Sequence, residues 1–290
     1  MRCACIDVGS NTTRLLVADT ELTYIEDVRN ERVFTLIGRS LDAAGRIPPA
    51  KLEETAAVVA QQAESAAQLG AERIRAVATA AIRQAANGRD LVAAVERRAG
   101  IELEVLTGEA EASLAFRGAA NAVAAHGTLA VIDVGGGSTE IAVGSTDGGV
   151  EHAESIPIGS SVLAERHLRA DPPSESERAT LRDEVARALE SFEPPTVDQA
   201  VAVGGSASSL LHLAGRELGP DELDRALTTL CSEPAAALAE RFRLEPVRVR
   251  LLPAGVVVLA EVSRRIGQPL RICKGGLREG VILEMMGGDD

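Results

Sequence analysis

Lysine is nearly absent from this chain. Only Lys51 and Lys274 occur in 290 residues, so nearly all cations are arginines. In so alanine-rich a sequence that bias reflects coding composition more than chemistry. Positive charge is scarce as a whole: 30 Lys and Arg stand against 43 Asp and Glu, a net charge of −13. A generally acidic surface argues against broad, sequence-independent DNA binding, and nucleic acid is not an expected partner. It leaves room for an anionic substrate held in a local basic cleft. No segment has eighteen or more uninterrupted apolar residues, so no helix is expected to span a membrane. The opening "MRCACIDVGS" meets an aspartate too early for a signal peptide. Cys3, Cys5, Cys231 and Cys273 have neither zinc spacing nor the pattern of a disulfide framework. Cys3 and Cys5 would share one strand face and read as buried core thiols. His126, His152, His167 and His212 form no ligand spacing and no His-Asp doublet. Together these absences point to a soluble chain in a reducing cytoplasm. With 46% hydrophobic residues it is long enough for two domains.

The chain does contain one unusual stretch twice. "IDVGSNTT" at 6–13 returns as "IDVGGGST" at 132–139, an aspartate at a strand end followed by a turn with little side chain. Extended without a gap, "IDVGSNTTRLLVAD" and "IDVGGGSTEIAVGS" agree at six of fourteen positions, which points to two related domains. The surrounding patterns agree. Residues 3–7 and 14–19 read as a hairpin, with further strands near 23–28 and 32–37. A helix begins at Pro48 and Pro49 and stops at Gly70. Strand, helix, strand and helix follow to about residue 122. The second half restarts with a hairpin over 128–145 and a further strand. A helix covers 174–192, a strand 198–203 runs into a helix at Ser206, and helices fill most of 220–266. A last strand and a last helix close the chain. The class is α/β.

Glycine at such a hairpin tip lets backbone N–H groups approach a ligand closely, and clustered N–H groups make an anion-binding concavity. The hydroxyls of Ser10, Thr12, Thr13, Ser138 and Thr139 would add donors. Asp7 and Asp133 cannot meet phosphate favourably alone; they suit a divalent cation, or water that they orient. "GGGST" is not a P-loop, because no lysine follows.

"IDxGSN" at the start and "DxGGGSxE" about 125 residues later resemble the double phosphate motif of the acetate-kinase, sugar-kinase, Hsp70 and actin superfamily. "GSNTTRLLV" and "DVGGGSTE" resemble one branch of it, the Ppx/GppA family of exopolyphosphatases and guanosine pentaphosphate phosphohydrolases. "ATAAIRQAAN" (78–87), "TGEAEAS" (107–113), "PIGSSVL" (157–163), "VGGSASSL" (203–210) and "GGLREGVIL" (275–283) match further segments of that family in order. The resemblance spans essentially the whole chain and corresponds to its short form, without an appended helical domain.

The resemblance implies two actin-like, ribonuclease H-like α/β domains, 1–124 and 125–290, with an active-site cleft between them. The last helix, about 277–287, is a candidate to pack back on the first. It implies Glu111 as the residue that activates the attacking water, with Glu109 as its competitor; Ala110 sits where the family often has another acid. Asp133 and Glu140 match the acids associated with Mg²⁺ or Mn²⁺. Arg14 stands at the position of Glu140 in the first hairpin. Substrate contacts fall on Asp7, Gly9, Ser10, Asn11, Thr12, Arg14, Arg83, Gly135, Gly136, Gly137, Ser138, Thr139, Gly204, Gly205 and Ser206. Arg83 would grip phosphate oxygens. Asn87 reads as a cap or turn residue, and Arg278 as the residue that holds the last helix in place.

The implied activity is Mg²⁺-dependent release of orthophosphate from the end of inorganic polyphosphate; the acidic chain with only two lysines adds an expected preference for short chains. Hydrolysis of guanosine pentaphosphate is the rival. An ATP-dependent kinase would need an adenosine pocket and an acceptor site; a non-catalytic alarmone sensor would not need Glu111, Asp133 and Glu140. Family resemblance and the apolar run "LLPAGVVVLAEV" also suggest a homodimer.

Overall fold

The computed structural model describes residues 1–21, 24–123 and 125–287. The chain divides into two compact units, Met1–Gly118 with Leu277–Asp290, and Ala119–Gly276. Residue 124, at the expected domain boundary, lies outside the described residues, as does residue 23 of the strand expected near 23–28.

The first unit opens with β1 (Arg2–Val8), β2 (Thr12–Glu21) and β3 (Tyr24–Phe34), then a single helical turn, α1 (Ile37–Ser40). Helix α2 (Pro49–Gln68), β4 (Arg73–Ala78), α3 (Ala80–Gln84), α4 (Gly88–Ala99), β5 (Leu103–Val105) and α5 (Gly108–Ala122) follow. Pro49 starts α2 at the position where a missing N–H costs nothing, and Gly100 ends α4 with a positive φ. The sheet runs β3-β2-β1-β4-β5, with β1, β2 and β3 antiparallel and β4 and β5 parallel to β1. The two strands expected near 23–28 and 32–37 are one strand. Its exposed, charged stretch hides the alternation, but pairing with β2 carries it through.

Alternation sends Ala4, Ile6, Val8, Leu15 and Val17 into a core with α2 and α4, and Cys3, Cys5, Leu16 and Ala18 to the other face. A strand covered on both sides has to be apolar throughout, as "CACI" is. The second face is covered by α5 and by α12 (Leu277–Gly287), the chain's last helix. Arg278, buried at its start, donates to Asn30 Oδ1 (3.0 Å) and toward the Leu15 carbonyl (3.5 Å), so it holds the helix on the strands. Cys3 and Cys5 are free, buried thiols under this helix; burial pushes both up.

The second unit contains β6 (Thr128–Val134), β7 (Thr139–Ser145), β8 (Gly149–Ile156), α6 (Ser160–His167), α7 (Glu175–Ala188), β9 (Gln199–Val203), α8 (Gly204–Ala214), β10 (Glu217–Leu218), α9 (Pro220–Leu230), α10 (Ala235–Phe242), α11 (Pro246–Ile266) and β11 (Leu270–Ile272). Its sheet runs β10-β11-β9-β6-β7-β8. The plan of the first unit repeats: β6, β7 and β8 are antiparallel, and β9 lies parallel to β6 as β4 does to β1. Even the irregularities coincide. In the alignment that pairs Asp7 with Asp133, the register shift at Val17/Ala18 falls on the shift at Val143/Gly144. The run "LLPAGVVVLAEV" lies in α11, with Leu251, Leu252, Val256 and Val258 in the core. It therefore gives no support to a dimer.

Candidate active site

In the first hairpin, Gly9 N–H donates to Thr12 O at 3.0 Å and closes the turn. The turn's carbonyls are used by the segment after β3: Gly38 N–H donates to Ser10 O (2.9 Å) and Leu36 N–H to Asn11 O (2.9 Å). A trans peptide unit aims its C=O and N–H in opposite directions. The amides that follow these carbonyls therefore point away from α1, as an anion cradle requires. Leu36 holds a left-handed conformation, φ 51°, uncommon for a residue with a branched side chain. Thr79, at the end of β4, donates its N–H to Val8 O (3.2 Å) and places its hydroxyl beside Gly9. Leu36, Gly38 and Thr79 were not assigned from sequence. Thr79 lay inside a quoted motif, and the other two follow a strand whose end was misplaced.

Asp7 and Arg14 are directly opposite one another in the hairpin. Burial pushes the Asp7 carboxyl up, while Arg14 and Arg278 pull it down. Asp7 Oδ1 is sealed from solvent without a hydrogen-bond partner among the described residues. An orphaned buried acceptor costs about 1–3 kcal/mol unless something else meets it, so this atom fits a water or cation arriving with a ligand.

Arg83 sits at the end of α3, whose first turn is anchored by Thr79 O. Its Nη1 donates to Glu111 Oε2 (2.8 Å) and to Leu106 O (2.9 Å). Glu111, in the first turn of α5, is only 8% exposed. Glu109 is different. It lies at the surface, where its own amide and the Thr107 hydroxyl hold its carboxyl below the usual range, as befits a helix N-terminus. Of the two acids, Glu111 is the enclosed one with a fixed orientation. The expected phosphate grip of Arg83 is, in this structure, a grip on Glu111.

In the second hairpin Gly135 N–H donates to Ser138 O at 3.0 Å, the counterpart of the Gly9–Thr12 bond. Its carbonyls are held by the start of α6. Ser160 N–H and Oγ both donate to Gly135 O (2.9 and 3.1 Å), and Ser161 N–H donates to Gly136 O (3.0 Å). Gly159 allows this, because a Cβ there would lie 2.3 Å from the Gly136 carbonyl. Ser206 Oγ donates to Val134 O (2.9 Å). Asp133 lies against Gly204, and the Arg248 guanidinium lies over Gly205. So Asp133, Gly135, Gly136 and Gly204–Ser206 come together, with Gly159, Ser160, Ser161 and Arg248 added by the structure.

Several expected hydroxyl donors are committed elsewhere. Thr139 Oγ1 donates to Ile158 O (2.6 Å), Thr13 Oγ1 is bonded to Thr35 Oγ1 (3.1 Å), and Ser138 Oγ donates to Glu140 Oε1 (2.6 Å). Each is buried, so their part in the turns is structural. Ser155 Oγ also donates to Glu140 Oε1 (2.7 Å). Asp133 and Glu140 are directly opposite in the β6–β7 register. No cluster of three or more metal-binding side chains occurs among the described residues. Two opposed carboxylates would fit a cation that also takes oxygens from a ligand; they would not make a closed protein cage.

The sequence matches the Ppx/GppA phosphatase family over residues 16–288. The chain belongs to that family. Its fold is the two-domain actin-like α/β fold of Ppx/GppA proteins, and its class is that of a phosphoric anhydride hydrolase. It is 31% identical over 318 residues to exopolyphosphatase 2 of Mycobacterium tuberculosis, covering 99% of both chains. It is 25% identical over 304 residues to a guanosine-5'-triphosphate,3'-diphosphate pyrophosphatase of Aeromonas hydrophila, covering 99% of this chain and 60% of that one. The crystal structure of the Aquifex aeolicus Ppx/GppA member superposes with a TM-score of 0.86 at 29% identity, over 100% of this chain and 99% of that one.

Proposed function

We propose that this enzyme is an exopolyphosphatase, which releases orthophosphate from the end of an inorganic polyphosphate chain. The observation that carries the reading is the enclosed Glu111 carboxylate, fixed by Arg83 in the unit that presents the first turn. A carboxylate so oriented serves as general base, taking a proton as water attacks phosphorus in line. In each turn the outward amides, those of Asn11 and Thr12 in the first and of Gly136 and Gly137 in the second, would receive phosphoryl oxygens. That charge-assisted contact needs no lysine. Asp133 and Glu140 would hold Mg²⁺, or Mn²⁺, which neutralises phosphate charge.

Guanosine pentaphosphate is the second reading, since the same machinery would remove its terminal phosphate. The full-length similarity to a polyphosphatase, against partial coverage of the pentaphosphate enzyme, favours polyphosphate. Phosphate release from polyphosphate, guanosine pentaphosphate and ATP, each with and without Mg²⁺, decides between them. Faster turnover of the pentaphosphate would replace the first reading with the second, and ATP-dependent transfer to an acceptor would remove both. The same reading carries a cytoplasmic homodimer, for which a sedimentation mass of one chain would be the contrary result.

A further inference from the structure

Arg14 of β2 has Asp7 opposite it on one side and Arg32 of β3 opposite it on the other. Three side chains thus lie in one row across the strands, on one face of the sheet. Neighbouring strands are about 4.8 Å apart, and like charges directly opposite are destabilising. Asp7 offsets Arg14. Arg32 has no carboxylate within ion-pairing distance among the described residues. Glu31, beside it in sequence, faces the other side of the strand and is held by Arg29 at 2.7 Å. Asn30, on the same face as Arg32, is engaged by Arg278.

The Arg32 guanidinium is aimed as well as unopposed. It lies 5.1 Å from the centre of the Phe34 ring. Phe34 is the strand partner of Thr12, the residue that closes the first phosphate turn. Stacking on that ring therefore leans the charge toward the turn and preorganises it. Arg39 directly follows Gly38, whose amide holds Ser10 O, so a third arginine flanks the same turn. This is a local concentration of positive charge on a chain of net charge −13. Asp7, beside Arg14, has a second acid close to it, Glu279 at the start of α12, which raises the Asp7 pKa after burial does.

We infer that Arg32, with Arg14 and Arg39, forms a subsite for the phosphate groups that follow the one being cleaved. The inference rests on the proposed phosphohydrolase reading and deepens it. The ligand chemistry is a phosphate or diphosphate at a fixed distance from the scissile group. Inner groups of a polyphosphate chain provide it, and so does the 3'-diphosphate of guanosine pentaphosphate.

The test compares wild type, Arg32→Ala, Arg32→Lys and the control Arg29→Ala in steady-state assays. Long polyphosphate, tripolyphosphate and guanosine pentaphosphate are the substrates. Arg32→Ala should raise KM for the long chain roughly tenfold. The rise should be several times smaller for tripolyphosphate, and Arg32→Lys should recover most of it. Arg29→Ala should behave as wild type. A rise confined to guanosine pentaphosphate would make the nucleotide's 3'-diphosphate the occupant of the same subsite. An unchanged KM for both long substrates, or an equal rise in Arg29→Ala, would overturn the subsite. Equilibrium binding of long polyphosphate to wild type and Arg32→Ala makes the same comparison without turnover. It separates failure of the subsite from failure of the hydrolase reading. Arg32 is exposed, and a melting curve unchanged by the substitution confirms an intact fold.

Discussion

Arg83 Nη1 bridges two groups of its own unit, Glu111 Oε2 at 2.8 Å and the Leu106 carbonyl at 2.9 Å. The carbonyl precedes α5 and the carboxylate sits in its first turn, so one guanidinium fixes both the start of the helix and the side chain on it. Because Thr79, the residue that caps α3, is bonded to Val8, the orientation of Glu111 is tied to the strand that carries Asp7.

Glu111→Gln should therefore lower kcat by on the order of 10²–10⁴ with KM little changed, because a base acts on water and not on ground-state binding. Arg83→Ala should also fall mainly on kcat, by about 10- to 100-fold, since the base loses its orientation. If Arg83→Ala instead raises KM alone, Arg83 is a phosphate ligand and its bond to Glu111 is incidental. Near-normal turnover of Glu111→Gln would transfer the role to Glu109 or another group.

Asp133→Asn and Glu140→Gln should each raise the Mg²⁺ concentration for half-maximal activity, because each removes a charge that attracts the cation. Glu140→Gln keeps an acceptor for Ser138 and Ser155, so the β6–β7 hairpin should stay intact and the loss should be one of charge. Titration of activity with Mg²⁺ is the measurement. If both curves overlay wild type, the metal arrives with the substrate and these acids do other work.

Gly204 joins two constraints in one residue. Its φ is +78°, and a Cβ there would lie 2.0 Å from Asp133 Oδ1. Gly70 has φ +81° with nothing near its missing side chain. Gly70→Ala should cost about 1 kcal/mol from backbone strain alone. Gly204→Ala should cost at least about 1 kcal/mol more in urea unfolding, and also raise the Mg²⁺ requirement by displacing Asp133. Equal losses at the two sites would show that Asp133 moves aside freely.

The turns could be read from the sequence because an aspartate, a glycine and small polar residues between two apolar runs admit few conformations. The repeat made that reading twice as strong. The hydroxyls of Thr13 and Thr139, expected as ligand donors, are bonded within the fold, and the signal for that was present. They face Val8 and Val134 across the hairpin, whereas Asp7 and Asp133 face Arg14 and Glu140, so period-two alternation puts the threonines on the other face. "PIGSSVL" matched a family segment without a role, and its role is a contact, since Ser160 and Ser161 seat the second turn. The Arg83–Glu111 bond spans 28 positions. Nothing in local periodicity indicates a partner that far away.

Ser174 and Glu177 form a capping box at the start of α7. The Glu177 carboxylate accepts from the amides of Ala170, Ser174 and Arg169 and from the Ser174 hydroxyl. These bonds, led by the Ala170 amide, hold its pKa at about 2, against an ordinary value of 4.5. A depressed carboxylate stabilises the fold above the ordinary value, and that stabilisation is lost as pH falls from 4.5 toward 2. The group lies at the surface, partly exposed and screened by solvent, so about 1 kcal/mol is expected, not the full shift. Glu177→Gln should thus be less stable than wild type at neutral pH, with the gap closing through that window. A gap that stays constant down to acid pH would mean that the charge contributes nothing.

A long polyphosphate carries roughly one negative charge per phosphate and stays bound between cleavages only where an extended basic track holds it. Arg166 and Arg169, just before the helix α7, are candidates for such a track. Arg166 is paired with Glu184, which His167 also meets, so its charge is already answered within the second unit. Among the described residues Arg169 commits its backbone amide, to Glu177. In the first unit the row of Arg14 and Arg32 extends one strand beyond the turn and ends at β3, the edge of the sheet. Few phosphates are therefore held at once, and affinity should level off after a few. Added salt should weaken long chains only modestly more than short ones, because few distant contacts are present to be screened. Release after each cleavage is then faster than advance along the chain. Partial digestion of a long, uniform polyphosphate should give a ladder of intermediate lengths on a gel. Full-length chain beside free phosphate, with nothing between, would show that a track exists and that the substrate is never let go.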